Sequence, residues 1–453
     1  AYFLALKGYK PTVFEKNKRP GGMMVYGIPS FKLEKDVVDA EIDVIKALGV
    51  EIKCGVEVGK DVTIEELRNE GYKAFYVAIG CQGGKLPGIK GEDAVGVEIA
   101  VDFLRNAIED EARELDGDVV VIGGGNVAID VARTAHRFKA NKVSMFCLEA
   151  KDSMLASNDG IEEILAEDIS LNNSWGPKEI LKDENGNVKG VVFKKCLRTI
   201  DPKTKKFSPI YDENETMTVE CKHVICAIGQ TINWGELLKG TKVEFWHGNY
   251  PVADKLTFQT AEPDIFVGGD VYTGPKFVIN AVAEGKEAAI SIHRFVQPNT
   301  SLTIGRNKND FIELDKTNIV IESYDNCKRQ EAGMKSDDYH NSFRDMHNTL
   351  TEEQIKKETA RCLGCGASVV DPNKCIGCGV CTTKCEFDAI HLVRDHPECT
   401  KMVVAEDKFK HILPYQAKRA VKIVFNKKLK EEKEYNKEYK AYQKKVEKAK
   451  KEA

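Results

Sequence analysis

Nowhere does this sequence run apolar long enough to cross a bilayer; its most apolar stretches are broken by glycine or charge. No secretory signal opens it. Neither sign of charge dominates, since 67 Lys and Arg face 71 Asp and Glu for a net charge of -4. That balance gives no basic field for nucleic acid. Also missing is any acid–base pair or nucleophile motif that would complete a separate small-molecule reaction. No catalytic side chain is therefore assigned, and cofactor-borne chemistry is the expectation. What remains is a chain of 453 residues, 42% hydrophobic and 30% charged, long enough for two or three domains with their own cores.

Cysteine, by contrast, is plentiful at 14 residues, and its placement decides between a disulfide framework and a metal site. Cys54, Cys81, Cys147, Cys196, Cys221 and Cys226 stand singly in strand-like segments, where buried thiols are expected. From Cys362 to Cys385, six cysteines crowd one short glycine-rich stretch. One dense block in a chain with no secretory signal reads as metal-binding and cytosolic.

Periodicity gives an alternation of strands and helices. A helix end and a short strand, Pro11–Glu15, are followed by a helix near Asp36–Leu48 and strands at Val50–Lys53 and Ala74–Ile79. A helix is expected over Ile99–Arg113, then the most apolar strand, Asp118–Ile122, a glycine turn, the helix Val127–Phe138 and the strand Lys142–Glu149. Residues 180–224 read as a β-meander with a hairpin turn at 184–187. The strands Val224–Ile228 and Asp264–Gly269 and a helix over Phe277–Phe295 complete this part. Such repeats imply doubly wound parallel sheets. Residues 298–360 read as a wrapping linker, and 425–453, dominated by Lys and Glu, as a solvated helix or frayed tail.

The segment Val119-Val-Val-Ile-Gly-Gly-Gly-Asn-Val-Ala128 has the strand, glycine turn and helix start of a dinucleotide site. Gly123 permits the tight turn, and Gly125 lets backbone approach a pyrophosphate. Asn126 and Val127 open the helix whose positive end attracts it, and Ala128 keeps helix and strand close. The next strand ends at Glu149, where a carboxylate can bind both ribose hydroxyls of NAD and repel the 2′-phosphate of NADP. No Arg occurs from Ala150 to Asn172, although Lys151 is near. NAD(H) is therefore expected over NADP(H).

Thr12-Val-Phe-Glu15 has the form of a second such strand ending in a ribose-binding acid, followed by Pro20-Gly-Gly-Met-Met-Val-Tyr-Gly-Ile-Pro29. With Ala78-Ile-Gly80, the Gly123–Ala128 turn, Asp264-Ile-Phe-Val-Gly-Gly-Asp270 and Gly274-Pro-Lys-Phe-Val-Ile-Asn-Ala-Val-Ala-Glu-Gly285, it resembles a known flavoprotein family. That family includes the glutamate synthase small subunit and the N-terminal half of dihydropyrimidine dehydrogenase. The resemblance covers about residues 1–297. It implies that Glu15 holds the FAD ribose, Asp270 the ribityl–phosphate region, and Gly21, Gly22, Gly80, Gly229 and Gly269 the surrounding turns. It further implies that the helix after Gly274-Pro275, beginning at Phe277, aims its positive end at the flavin's pyrimidine edge. Family members place a strand and a Gly-x-Gly-x-x-Gly turn before the helix that here starts at Ala1, so an upstream region is expected. The cysteine pair that disulfide reductases place beside the flavin is absent, with Cys81 standing alone.

Cys375-x2-Cys378-x2-Cys381-x3-Cys385 has the spacing of bacterial ferredoxins, in which the fourth cysteine ligates the other cluster. Cys362-x2-Cys365 can anchor that second cluster. Two cubanes need eight thiolates and the block supplies six, which leaves one or two 4Fe-4S clusters, with Cys327 and Cys399 as further candidates. Glu386 replaces the usual proline, and a zinc site is the structural alternative.

The expected fold is α/β: two Rossmann-like domains, for FAD and NAD, plus a small C-terminal ferredoxin-like iron–sulfur domain. The FAD domain is split into 1–92 and 226–297, enclosing the nicotinamide domain at 93–225, and the iron–sulfur domain spans 361–424. The expected activity takes a hydride from NADH onto FAD and sends electrons through the clusters to ferredoxin or a partner subunit. A hetero-oligomeric complex follows, without nucleic acid or a membrane span; some relatives bifurcate electrons in such complexes. A glutamate synthase small subunit-like donor and a non-catalytic cluster-bearing scaffold are the alternatives.

Overall fold

A computed structural model of the chain describes residues 1–246, 249–306, 327–362, 375–384, 390–393, 404–425, 433–441 and 443–444. It divides into two units, Ala1–Cys362 and Leu363–Ala453.

The first unit is organised by a five-stranded parallel sheet, in the order Val97–Ile99, His223–Cys226, Val119–Ile122, Val143–Cys147, Ser170–Asn173. The apolar run Val119–Ile122 is buried at every residue because both of its faces are covered. Val119 and Val121 join Val143, Met145 and Ile225 under the helices Ala100–Glu109 and Asn126–Arg137. Val120 and Ile122 join Phe146, Val224 and Cys226 under an antiparallel meander, Trp175–Lys182, Val188–Ile200 and Phe207–Glu220. The two-residue alternation of a strand thus feeds two cores at once. Phe146 and Phe193 stack across the meander side at 4.0 Å, a pairing that adds about 0.5–1.5 kcal/mol beyond area burial. The hairpin turn at Asp183–Asn187 is closed by the Asp183 N–H donating to the Asn187 carbonyl at 2.9 Å.

Around this sheet, Thr12–Glu15 pairs in parallel with Glu51–Cys54, and Phe75–Val77 with Ile265–Val267. The second pairing carries the chain from beyond the central sheet back to the segment before it. Ile64, Val77, Ile265, Val267 and Leu238 form the core there. The helix Val278–Val296 buries Ala288, Ala289, Ser291 and Ile292, with Phe295 against Phe266 at 5.8 Å.

Two features tie these parts together. Glu167 is buried and accepts from Arg133 (Nε 3.0 Å, Nη2 2.9 Å) and Arg137 (Nη1 3.0 Å, Nη2 3.1 Å). The same two guanidiniums lie 4.8 and 4.0 Å from the ring centre of Phe31, which follows the Gly27-Ile-Pro29 loop. Residues 339–345, within the expected linker, lie against the same helix. Arg137 Nε donates to the Ser342 carbonyl at 2.8 Å, Phe343 meets Phe138 at 5.4 Å, and Arg344 pairs with Glu34 at 2.8 Å.

In the second unit the described elements include a short helix, Val380–Lys384, a helix Lys408–Phe425 containing Pro414, and helical residues at 433–441 within the Lys- and Glu-rich tail. Lys408–Phe425, along with Ile64–Asn69 and Asn158–Ala166, is a helix beyond those expected from the sequence. Cys54 departs from expectation too: it is exposed, because it closes the outer strand of a two-stranded pair, whereas the other five single cysteines are buried. Among the described residues no helix is long and apolar enough to cross a membrane.

Candidate functional site

One continuous cleft of about 2180 Å³ opens along the first unit. That exceeds the roughly 300–1,000 Å³ of a site for one drug-sized ligand. Glu15, Gly21, Gly22, Gly80, Gly123, Gly125, Asn126, Val127, Glu149, Gly229, Gly269, Asp270, Pro275 and Phe277 all line it. Every residue expected to touch a nucleotide is therefore brought to the same space.

At one part of the cleft, Gly123 turns the chain between strand and helix with φ +146°, and a Cβ there would lie 2.4 Å from the Ala227 carbonyl oxygen. Gly125 faces open space, with nothing within 4 Å of where a Cβ would be. No side chain caps the helix Asn126–Arg137, so the N–H groups of its first turn have no side-chain acceptor. The Asn126 side chain instead accepts from the Ser157 N–H at 2.9 Å, and the Ala156 N–H donates to the Gly124 carbonyl at 3.0 Å. These bonds fix the loop after Glu149 onto the turn. The Glu149 carboxylate faces the turn as well: its Oε2 lies 2.9 Å from the point where a Gly124 Cβ would sit. The Glu149 backbone carbonyl is held by the Ser174 N–H at 3.1 Å and Asn173 Nδ2 at 3.2 Å.

Elsewhere in the cleft, Glu15 Oε1 accepts from the backbone and side chain of Asn17 at 2.8 and 2.7 Å. Arg105 extends that chain, donating to Asn17 Oδ1 at 3.3 Å and to Gln82 Oε1 at 3.1 Å. Asp270 Oδ1 accepts from the Lys276 N–H at 3.1 Å, and burial raises its carboxyl pKa above the ordinary value. Glu284 accepts from the Gly269 N–H at 2.5 Å, and burial raises its pKa in the same way. The helix Val278–Val296 starts without a side-chain cap, and its first turns leave Phe277 (73%), Ile279 (70%) and Val282 (52%) exposed. Uncovered apolar surface beside an uncapped helix start suits a flat aromatic ring with an anionic edge. With the open space at Gly125 and the cleft's length, these residues fit two dinucleotides, one flavin and one nicotinamide.

Cys81 also belongs here. It is buried, donates to the Asp270 carbonyl at 3.3 Å, and has a thiol pKa pushed up to about 11, first by burial and then by the Asp270 carboxylate. No disulfide occurs among the described residues, where Cys81 is a free thiol. Sequence reasoning missed three aromatic residues that line the cleft, Trp175, Phe207 and Tyr211. Phe207 and Tyr211 fall within the meander expected over 180–224, whereas Trp175 lies before it, and which strand face meets the cleft was not legible.

In the cysteine block, Cys375, Cys378 and Cys381 are exposed, the last on the helix Val380–Lys384. Cys362 is exposed at the end of the first unit and Cys327 is half-buried. Cys365, Cys385 and Cys399 lie outside the described residues. Among the described residues no three Cys, His, Asp or Glu side chains are gathered as a metal site requires. The donor chemistry, thiolates at x2–x2 spacing, fits an iron–sulfur cluster.

The family model for pyridine nucleotide-disulphide oxidoreductases matches residues 1–285, and that for the 4Fe-4S binding domain matches residues 368–391. The chain belongs to the pyridine nucleotide-disulphide oxidoreductase family. It is an oxidoreductase of the FAD- and NAD(P)-binding kind that carries a 4Fe-4S domain in addition. Over 304 residues it is 34% identical to the NADP(+)-dependent formate dehydrogenase subunit beta of Moorella thermoacetica, covering 66% of this chain and 42% of that one. Over 297 residues it is 33% identical to the NAD-dependent dihydropyrimidine dehydrogenase subunit PreT of Salmonella typhimurium, covering 64% of this chain and 63% of that one. The chain thus spans less than two thirds of either relative. The solved structure of Mycobacterium tuberculosis FprA in complex with NADPH superposes with a TM-score of 0.54 at 16% identity, over 65% of this chain and 82% of that one. That likeness is one of fold.

Proposed function

We propose that this chain is the NADH-oxidising subunit of a multi-subunit oxidoreductase, delivering electrons through C-terminal iron–sulfur clusters to ferredoxin or a partner subunit. The observation that carries the NADH reading is the Glu149 carboxylate facing the glycine turn, with the loop behind it fixed by Asn126 and Ala156. When bound, FAD supplies hydride acceptance from nicotinamide and single-electron release toward clusters.

Residues of the chain bind and orient. Gly123 and Gly125 bring backbone, and the uncapped helix start brings positive dipole, to a pyrophosphate. Glu149 accepts from the adenosine ribose hydroxyls and opposes a 2′-phosphate at that place. Glu15, pre-set by Asn17, accepts from the flavin's ribose. Asp270 and the helix start after Pro275 orient the flavin end. Cys362, Cys365, Cys375, Cys378, Cys381 and Cys385 supply thiolates for one or two clusters. Cys81 keeps its proton and forms no disulfide among the described residues, which supports an iron–sulfur outlet over a dithiol–disulfide exchange.

Both relatives are named as subunits, the formate dehydrogenase beta subunit and PreT, which supports a place within a complex. The test is anaerobic addition of NADH to the full-length protein loaded with flavin, iron and sulfide. The expected result is bleaching of flavin and cluster absorbance and reduction of a ferredoxin. Turnover of a disulfide substrate with no cluster bleaching would overturn the reading.

A further inference from the structure

The meander does more than cover the central sheet, because one of its strands turns aromatic side chains into the nucleotide cleft. Phe207 and Tyr211 stand four apart on the strand Phe207–Glu220, and both line the cleft. Tyr211 reaches across the central strand of the meander to Gly176. A Cβ on Gly176 would lie 2.5 Å from Tyr211 Cε1 and 2.9 Å from Leu148 Cδ2. Tyr211 and Leu148 therefore converge over the one residue whose lack of a side chain makes room for them. Leu148 immediately precedes Glu149.

Backbone bonds fix this approach. Tyr211 pairs with Cys196, whose N–H donates to the Ser174 carbonyl at 2.8 Å, and the Ser174 N–H donates to the Glu149 carbonyl at 3.1 Å. These contacts link the aromatic strand to the acid facing the glycine turn. One side of the Tyr211 ring carries the Lys194 ammonium, 4.2 Å from its centre, and Lys194 in turn pairs with Glu213 at 2.7 Å. The ring is thus held in place, while its hydroxyl makes no hydrogen bond among the described residues. Phe207, nearer the hairpin tip, is 62% exposed.

We infer that Tyr211, with Phe207 beside it, is the wall against which the adenine ring of the nicotinamide nucleotide packs. The inference rests on the reading of Glu149 as the ribose acid. An adenine is joined directly to the ribose whose hydroxyls Glu149 would receive, so it must lie beside that carboxylate. Leu148 and the Tyr211 ring present apolar surface there. Aromatic side chains hold nucleobases through their π-faces with little demand on base identity. This makes the meander a determinant of affinity for the adenosine half, separate from the glycine turn that holds the pyrophosphate.

The test is equilibrium binding of ADP-ribose to the full-length protein, with nicotinamide mononucleotide, which lacks adenine, as the control probe. Tyr211→Ala is expected to weaken ADP-ribose binding about tenfold, the factor corresponding to about 1.4 kcal/mol. Tyr211→Phe should restore it to within about twofold, since the ring carries the role. Nicotinamide mononucleotide binding should be the same in all variants. Phe207→Ser, at an exposed site that leaves the core intact, should weaken ADP-ribose binding severalfold and keeps the inference testable if Tyr211→Ala unfolds. ADP-ribose binding unchanged in both Tyr211→Ala and Phe207→Ser, while NADH still competes for it, overturns the inference and leaves the functional reading standing. Failure of the unaltered protein to bind either NADH or ADP-ribose overturns the functional reading itself.

Discussion

Replacing Glu167 by Gln tests the junction that holds the Gly27-Ile-Pro29 loop region against the helix Asn126–Arg137. The Glu167 side chain is fully buried, and the Arg133 and Arg137 side chains are only 4% and 1% exposed. Its carboxylate takes four hydrogen bonds at 2.9–3.1 Å and carries the charge that offsets two guanidiniums. Glutamine keeps one acceptor oxygen but removes that charge. Breaking a buried pair from one side costs about 3–5 kcal/mol, because the partner's charge stays buried without compensation. Arg133 retains Glu163, and Arg137 retains the carbonyls of Ser342 and Arg133, so the expected loss is near the lower end, about 3 kcal/mol. Urea unfolding of the full chain, followed by near-ultraviolet circular dichroism, measures it. The pH dependence gives a second check. Burial alone would raise the Glu167 pKa, but the bonds from Arg137 and Arg133 outweigh it and the net shift is downward. A depressed carboxyl pKa contributes stability that is present above the unfolded value of about 4.3 and is lost as pH falls through the folded value. The gap between the unaltered protein and Glu167→Gln should therefore be widest above about pH 5 and close toward acid. A loss under about 1 kcal/mol, or a gap that widens toward acid, would refute the account of the junction.

Cys81 should resist alkylation in the native protein at pH 8, since its thiol pKa lies about 11, and Cys81→Ala should leave NADH-driven ferredoxin reduction within twofold of the unaltered rate. A tenfold loss would mean the thiol takes part in electron transfer. Phe343→Ala should cost about 1–3 kcal/mol in urea unfolding, less than a fully buried phenylalanine, and should speed proteolytic cleavage within 327–362, read by mass spectrometry of the fragments.

Much of the part around the central parallel sheet was legible because local chemistry and global packing agree there. The run Val119–Ile122, the turn at Gly123 and the helix from Asn126 carry their signals within ten residues, and the observed boundaries fall within a residue or two of those expected. The meander was legible for the same reason, through its alternation and its Glu-Asn-Gly-Asn turn. What the sequence hid depends on distant partners. Nothing in the sequence singles out Arg133, Arg137 and Glu167, whose burial depends on Phe31 and residues 339–345 packing against them. Cys54 looked like its buried counterparts, and only its place on an outer strand exposes it. The helix Lys408–Phe425 was obscured by Pro414 within it. Tyr211 escaped notice because its role depends on an empty position, Gly176, on a different strand.

The most direct test is the choice between NADH and NADPH. The anaerobic half-reaction of the full-length, cofactor-loaded protein is followed by flavin absorbance in a stopped-flow instrument, over a concentration series of each nucleotide. A 2′-phosphate within about 4 Å of the Glu149 carboxylate meets about 1–4 kcal/mol of repulsion per unit charge, depending on how far water screens the pair. NADH should therefore reduce the flavin with a half-saturating concentration at least tenfold below that of NADPH. Equal or tighter use of NADPH would contradict the assignment of Glu149, and with it the claim that electrons enter this chain from NADH.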